Sequence, residues 1–280
     1  MTLDSDRLTE TRPGLLSRLV VDFDHAIVTA TRRGEQWLAS DTHDFADREA
    51  FEAIATAWLR IAWDVKHQWT FTWAGRPIIQ LPEDLVRVQE VIWHLEPDVI
   101  LETGVAHGGS LMFYATICKA LGHGEVIGVE LPRSPELDHR DAIRAHPLSE
   151  LITLVHGDSI DPQVVDQVHA LIGEAESVLL LCDSAHSKEH VLRELEAYHD
   201  LVQPGGYAVV QDGFPMRLVA AHHGPRSESD WSWNNPLAAA EAFVFAHPEW
   251  RIEPPAPLFD ESIGLGEGIT HWTGGWLRRG

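Results

Sequence analysis

Between Val99 and Asp212 short apolar runs alternate with amphipathic stretches, and this alternation constrains the fold more than any other feature of the 280-residue chain. Val99–Glu102, Val126–Glu130, Ile152–Val155, Val178–Asp183 and Tyr207–Asp212 read as strands, buried on both faces because they lack a polar alternation. Ser110–Leu121, His139–Ala145, Pro162–Ile172 and His186–Leu201 read as the helices between them. Strands separated by helices pair in parallel through right-handed crossovers, which predicts a doubly wound α/β sheet. A helix near Pro236–Phe245 and strands near Trp250–Glu253 and Thr270–Leu277 are expected to close the sheet edge. Upstream, residues 49–66 and Leu85–Leu95 carry apolar positions at helical spacing, Leu15–Ala30 reads as a further helical stretch, and "WAGRPIIQLPEDL" reads as a loop. The predicted organisation is an N-terminal helical extension over residues 1–96, an oligomer contact or a pocket cover, followed by the sheet domain over 97–280.

Several function classes are disfavoured by composition. A formal net charge of −22 speaks against nucleic acid or an anionic membrane as partner. No apolar run approaches the length of a membrane span, and "MTLDSDRLTE" lacks a hydrophobic signal core, so a cytoplasmic protein is expected. Cys118 and Cys182 fall in predicted buried elements and fit reduced thiols. Trp58, Trp63, Trp69, Trp73 and Trp93 crowd the stretch before the sheet, more than one helix pair can bury, which predicts a homo-oligomer.

In an open parallel sheet, ligands bind beyond the carboxyl ends of the strands. The first strand runs into "ETGVAHGGS", where Gly104, Gly108 and Gly109 clear side chains from a turn and Ser110 is a candidate N-cap. The spacing matches neither the dinucleotide nor the P-loop fingerprint, and tight turns also use glycine for backbone reasons alone. Glu130 closes the second strand, where a carboxylate accepts the two hydroxyls of a ribose. Asp158 and Ser159 close the third and stand where a base edge would lie. Each residue alone also fits an N-cap or a solvated strand end; the series together points to a nucleoside cofactor.

Asp183 and Asp212 close two strands expected to be neighbours. Two carboxylates facing one cleft repel unless protonated or bridged by a cation, and an oxygen-ligated divalent ion such as Mg²⁺ relieves them. His186 opens the next helix on the same side, where an imidazole can accept a proton near neutral pH. The alternative is a surface His186 beside a capping Ser184 or Ser187.

The stretches "WAGRPIIQLPEDLVRVQEVIWHLEPDVILETGVAHGGSLMFYA", "IRAHPL", "LLLCDSAHSKEHVLRELEAYHDLVQPGGYAVVQDG" and "WNNP" resemble the cephalosporin hydroxylase/rhamnosyl O-methyltransferase family, over roughly residues 58–280. The resemblance implies a class I S-adenosylmethionine-dependent methyltransferase with a Rossmann-like, mostly parallel seven-stranded sheet, related to Mg²⁺-dependent macrolide sugar O-methyltransferases. It implies the methionine end of the cofactor at the turn, around Glu102, Gly104, Gly108 and Ser110. It places ribose at Glu130, adenine near Asp158 and Ser159, and a metal at the Asp183/Asp212 end, with Asp183 bordering the cofactor as well. Relatives assemble into dimers or larger oligomers. Two departures stand out. Several relatives carry two acidic residues where this chain has Gln211–Asp212, and Gln211 offers a neutral carbonyl oxygen as a third metal ligand. The acidic residue of the second strand is a glutamate within "VELPRSPELDHR", where many relatives have aspartate.

The expected activity is therefore Mg²⁺-assisted methyl transfer to a hydroxyl of a small polar acceptor, a sugar or an intermediate of antibiotic biosynthesis, with His186 or Asp183 as base. A nicotinamide-dependent oxidoreductase on the same kind of sheet and a degenerate cofactor-binding protein are the alternatives.

Overall fold

The computed structural model describes residues 15–33, 38–131, 139–214, 231, 233–262 and 264–280. The chain divides into two compact units, one of residues 1–61 and 260–269, the other of residues 62–259 and 270–280. The expected boundary at 96/97 thus differs from the observed division.

In the first unit, β1 (Leu15–Asp22), β2 (Ile27–Arg33) and β3 (Leu38–Asp44) form an antiparallel sheet in the order β1-β2-β3. This corrects the helix expected over Leu15–Ala30. Val20, Val21, Ile27, Val28, Thr29 and Thr31 are β-branched and lose rotamer freedom in a helix. The polar side chains also pair across the sheet, Thr29 with Thr42 at 2.9 Å and Thr31 with Ser40 at 2.7 Å. Asp22 makes the turn by accepting the N–H groups of Asp24 and His25, both at 3.1 Å. Val28 and Ala30 face the opposite way and pack on Ala50 and Ala53 of α1 (Arg48–Asp64).

In the second unit, "WAGRPIIQL" is not an open loop: β4 (Phe71–Trp73) and β5 (Arg76–Ile78) make a hairpin. It turns through Ala74 and Gly75, both at positive φ. Then come α2 (Pro82–Leu95), β6 (Val99–Thr103), α3 (Gly109–Leu121), β7 (Glu125–Glu130), α4 (Arg140–Arg144), β8 (Ile152–His156), α5 (Pro162–Ile172), β9 (Val178–Cys182), α6 (Lys188–Tyr198), β10 (Tyr207–Val210), α7 (Pro236–Ala246), β11 (Trp250–Ile252) and β12 (Trp276–Arg279). The last strand is shorter than the expected Thr270–Leu277 and is shifted towards the C-terminus. A seven-stranded sheet has the order β11-β12-β10-β9-β6-β7-β8. Strands β6 to β10 are parallel, and β12 is antiparallel to both β10 and β11. The central strands β6 and β9 are buried at every position, with one apolar cluster on each face of the sheet.

The chain leaves β6 towards β7 and β8, then returns to the other side of β6 with β9. A doubly wound sheet opens its crevice where the strand order reverses in this way. Here that point lies between the carboxyl ends of β6 and β9. Among the described residues no helix is long and apolar enough to cross a membrane.

Candidate active site

At the reversal point the two strand ends press together. A Cβ built on Gly104, at φ +87°, would stand 2.1 Å from the backbone oxygen of Asp183. On Gly109 it would stand 2.2 Å from the oxygen of Pro77. These glycines are required by close backbone approach within the fold. Gly108, at φ +80°, is the N-cap of α3, with the Ile143 side chain 2.6 Å from where its Cβ would be. Ser110 is therefore not the cap. Its hydroxyl donates instead to Glu102 Oε2 at 2.6 Å.

The turn faces a cavity of about 370 Å³ whose wall includes Gly104, Ser110, Glu130, Asp158, Ser159, Asp183, His186 and Asp212. That volume falls within the roughly 300–1,000 Å³ usual for small-molecule sites. Four carboxylates, Glu130, Asp158, Asp183 and Asp212, share the wall with one lysine, Lys66, so the field favours a cationic ligand. Glu130 Oε2 accepts the N–H groups of Val105 and Ala106, each at 2.7 Å, and so clamps the glycine turn to the end of β7. Two backbone donors of the turn are thus engaged by a side chain.

Glu102 does not line the cavity. It is fully buried behind the turn, bonded to Ser110 and, at 3.1 Å, to the Tyr114 hydroxyl. Burial pushes its carboxyl up to about 8, against the opposing pull of those two bonds.

Asp183, His186 and Asp212 converge. One ligand atom from each lies within 4.8 Å of the others, and His186 Nε2 is 3.5 Å from Asp212 Oδ2. Ser187 caps α6 by accepting the N–H of His190, which leaves His186 just ahead of the helix and in the cavity wall. Asp212 adopts φ +56°, a left-handed conformation more open to aspartate than to most residues.

Gln211 is not part of the cavity wall. Its side chain is buried, and its Oε1 accepts Gln80 Nε2 at 2.5 Å, while the same Gln80 nitrogen donates to Asp183 Oδ2 at 3.1 Å. The donor set left in the cavity, two carboxylates and an imidazole, fits a divalent cation on the Asp183/Asp212 side. His186 suits proton transfer better than ligation of an oxygen-seeking ion.

Sequence reading missed the buried Glu194. Its Oε1 accepts Ser159 Oγ at 2.5 Å and Ser184 Oγ at 2.6 Å, with His190 Nε2 at 3.4 Å, tying the ends of β8 and β9 to α6. The i, i+4 spacing of His190 and Glu194 was the available signal. Gln80 and His271 were also missed. His271 lines the cavity, stacks on Phe214 at 5.5 Å, and is held below the usual imidazole range by burial. "WNNP" is structural. Asn235 caps α7 by accepting the N–H of Ala238, and Asn234 accepts that of Lys188. Most of the loop before it, and residues 132–138 of "VELPRSPELDHR", lie outside the described residues.

Comparison with known proteins agrees with this architecture. A rhamnosyl O-methyltransferase of Mycobacterium leprae (strain TN) is 28% identical over 145 residues, which is 51% of this chain and 60% of that protein. The rhamnosyl O-methyltransferase of Mycobacterium tuberculosis H37Rv is 29% identical over 156 residues, 52% of this chain and 61% of that protein. The chain thus spans about 60% of the length of the curated relatives it matches. The solved structure described as cmcI-D160 Mg-SAM superposes with a TM-score of 0.53 at 19% identity, covering 76% of this chain and 77% of that one. The CmcI-N160 apo-structure gives 0.51 at 22%, covering 75% and 76%. These likenesses establish the Rossmann-like class I methyltransferase fold. The sequence model of the Rhamnosyl O-methyltransferase/CmcI family matches residues 65–280, and the chain belongs to that family.

Proposed function

We propose that the chain transfers the methyl group of S-adenosylmethionine to a hydroxyl oxygen of a small polar acceptor, a sugar or an intermediate of natural-product (antibiotic) biosynthesis, with help from Mg²⁺. One observation carries the reading: Asp183, His186 and Asp212 meet in the cavity that the glycine turn also lines. Membership of a family with rhamnosyl O-methyltransferases supports it. A CmcI structure described with Mg and SAM favours the same pair of cofactors.

When bound, S-adenosylmethionine supplies an activated methyl group with its own leaving group, and Mg²⁺ lowers the pKa of an acceptor hydroxyl. The chain's residues contribute alignment, charge and a base. Gly104 and Ser110 border the methionine end, with Gly108 and Glu102 shaping the turn from behind. Glu130 serves the ribose and Asp158 with Ser159 the base edge, while Asp183 closes the cofactor site towards the acceptor. Asp183 and Asp212 hold the cation. Gln80 fixes the Asp183 carboxylate, so the acceptor proton falls to His186 Nε2, and Asp212 stabilises the imidazolium that results. Asp183 is the alternative base. The reading includes a homo-oligomer in the cytoplasm, where the two buried free cysteines would stay reduced.

Calorimetric titration of the protein with S-adenosylmethionine, NAD and buffer tests the cofactor. Heat with S-adenosylmethionine alone is expected, and binding of NAD in its place would overturn the reading. With a rhamnosyl glycoside as acceptor, a chelator is expected to stop turnover, Mg²⁺ to restore it, and Asp212→Asn to lose turnover while keeping cofactor affinity. Full activity in chelator would remove the cation from the mechanism.

A further inference from the structure

A second group of metal-ligating side chains lies at the other end of α6, away from His186 and His190. Glu196 belongs to α6, His199 to the single 3₁₀ turn that follows it, and His247 caps the C-terminus of α7. One ligand atom from each lies within 4.8 Å of the other two. His247 Nε2 stands 3.0 Å from Glu196 Oε1.

The two imidazoles are held in place by packing. Phe243 stacks on His247 with ring centres 4.3 Å apart, and meets His199 edge-on at 5.4 Å. Trp250 meets His199 from another side at 6.4 Å, and the two imidazole centres are 4.7 Å apart. Nδ1 of His199 is buried and has no hydrogen-bond partner among the described residues. A buried polar atom in that state calls for an explanation, and an ion drawn to the ring is one. The nearby cation, Arg279, is turned to the carbonyl oxygens of Val202 and Asp200.

We propose that Glu196, His199 and His247 form a second metal site, separate from the Asp183–Asp212 cleft, that takes a divalent transition ion of the Zn²⁺ class and fastens the end of α6 to the end of α7. Two imidazole nitrogens and one carboxylate oxygen make a borderline donor set, which suits Zn²⁺ and leaves Mg²⁺, which prefers oxygen ligands, poorly served. With ligand bonds of about 2.0–2.1 Å a tetrahedral ion keeps its ligand atoms about 3.3 Å apart. The His247–Glu196 pair is already within a few tenths of an ångström of that. Ligating imidazoles must be neutral, so the site fills as pH rises through the ordinary imidazole range. Glu249 Oε1 lies 3.6 Å from His247 Nδ1, where a carboxylate orients the ring of a ligating histidine. Water completes the coordination.

The test is a Zn²⁺ titration against a chromophoric chelator, in excess Mg²⁺ to fill the cleft. It compares the wild type with His247→Ala, Glu196→Gln and Asp212→Asn. Wild type and Asp212→Asn are expected to bind one Zn²⁺ per chain with a rise in Tm. His247→Ala and Glu196→Gln are expected to weaken binding by more than the roughly 10–100-fold that loss of an outer-shell partner costs, and to lose the Tm rise. Co²⁺ in place of Zn²⁺ is expected to give a tetrahedral visible spectrum that is absent in both variants. Circular dichroism reports whether His247→Ala folds. Glu196→Gln, at a half-exposed surface carboxylate, decides the matter if it does not. The proposal is overturned if the wild type binds no Zn²⁺, if Glu196→Gln binds as the wild type does, or if only Asp212→Asn loses the ion.

Discussion

His186 stands 3.5 Å from Asp212 and just ahead of a helix capped by its neighbour Ser187, so its ring is positioned without being buried. If it takes the acceptor proton, His186→Ala should slow turnover by about 10²-fold, the scale of a positioned base. Its affinity for S-adenosylmethionine by calorimetry should stay that of the parent. An equal loss of cofactor affinity would make His186 a binding residue instead. Glu102 gives a prediction of a different kind. Its carboxyl is raised from an ordinary 4.5 to about 8 by burial, so the folded chain holds a proton that the unfolded chain sheds within that window. Unfolding free energy therefore falls as pH rises from about 5 to about 8, by at most about 1.4 kcal/mol per pH unit from this group. Glu102→Gln keeps an acceptor for Ser110 or Tyr114 and removes the titration. Urea unfolding should show the variant gaining on the wild type as pH rises through that window, with a constant difference below it. A pH-independent difference would mean that Glu102 is ionised in the fold.

At the scale of elements, Gly104 shows how one position can be constrained by packing that the sequence does not reveal. The sequence suggests a glycine kept small for a ligand, but its missing Cβ leaves room for the backbone of Asp183 across the β6–β9 seam. Gly104→Ala is therefore expected to fail in folding, seen as loss of the cooperative thermal transition, before any question of cofactor affinity arises. A well-folded variant with weakened affinity would return the glycine to the ligand. The five parallel strands were legible because each is an apolar run between turn signals, and the inner ones, β6 and β9 above all, are buried on both faces and have no other pattern to show. The β1–β2 hairpin was not, since its alternation is blurred by the exposed Val20 and Phe23, and "LLSRLVV" carries leucines at helical spacing as well. The site was legible as a set of strand ends. What escaped was the layer behind it: Gln80 lies 103 residues from the Asp183 carboxylate it holds, where no local spacing betrays it, and Glu194 lies 35 residues from Ser159, its one local sign being His190 four positions before it.

For the molecule as a whole, charge and apolar exposure pull in opposite directions. A formal net charge of −22 makes copies repel, more so at low salt. Yet Phe23 is 80% and Leu38 63% exposed in the first unit. In the second, Trp93 and Trp69 remain half exposed while Trp73 is tied to Thr116 and packs edge-on to Phe113. So the tryptophan-rich stretch is only partly absorbed by its own fold, as the sequence suggests, and the apolar remainder supports self-association. The screening length shortens from about 30 Å at 0.01 M salt to about 8 Å at 0.15 M, so repulsion between copies should fade over that range while apolar burial persists. Light scattering at micromolar protein is therefore expected to show an oligomer at about 0.15 M salt that dissociates in part at about 0.01 M. Replacing Phe23 and Leu38 together by serine, or Trp93 and Trp69 together by glutamine, then identifies the contact by which pair abolishes it. A monomer at both salt concentrations would mean that these side chains are simply solvated, and that the homo-oligomer does not exist.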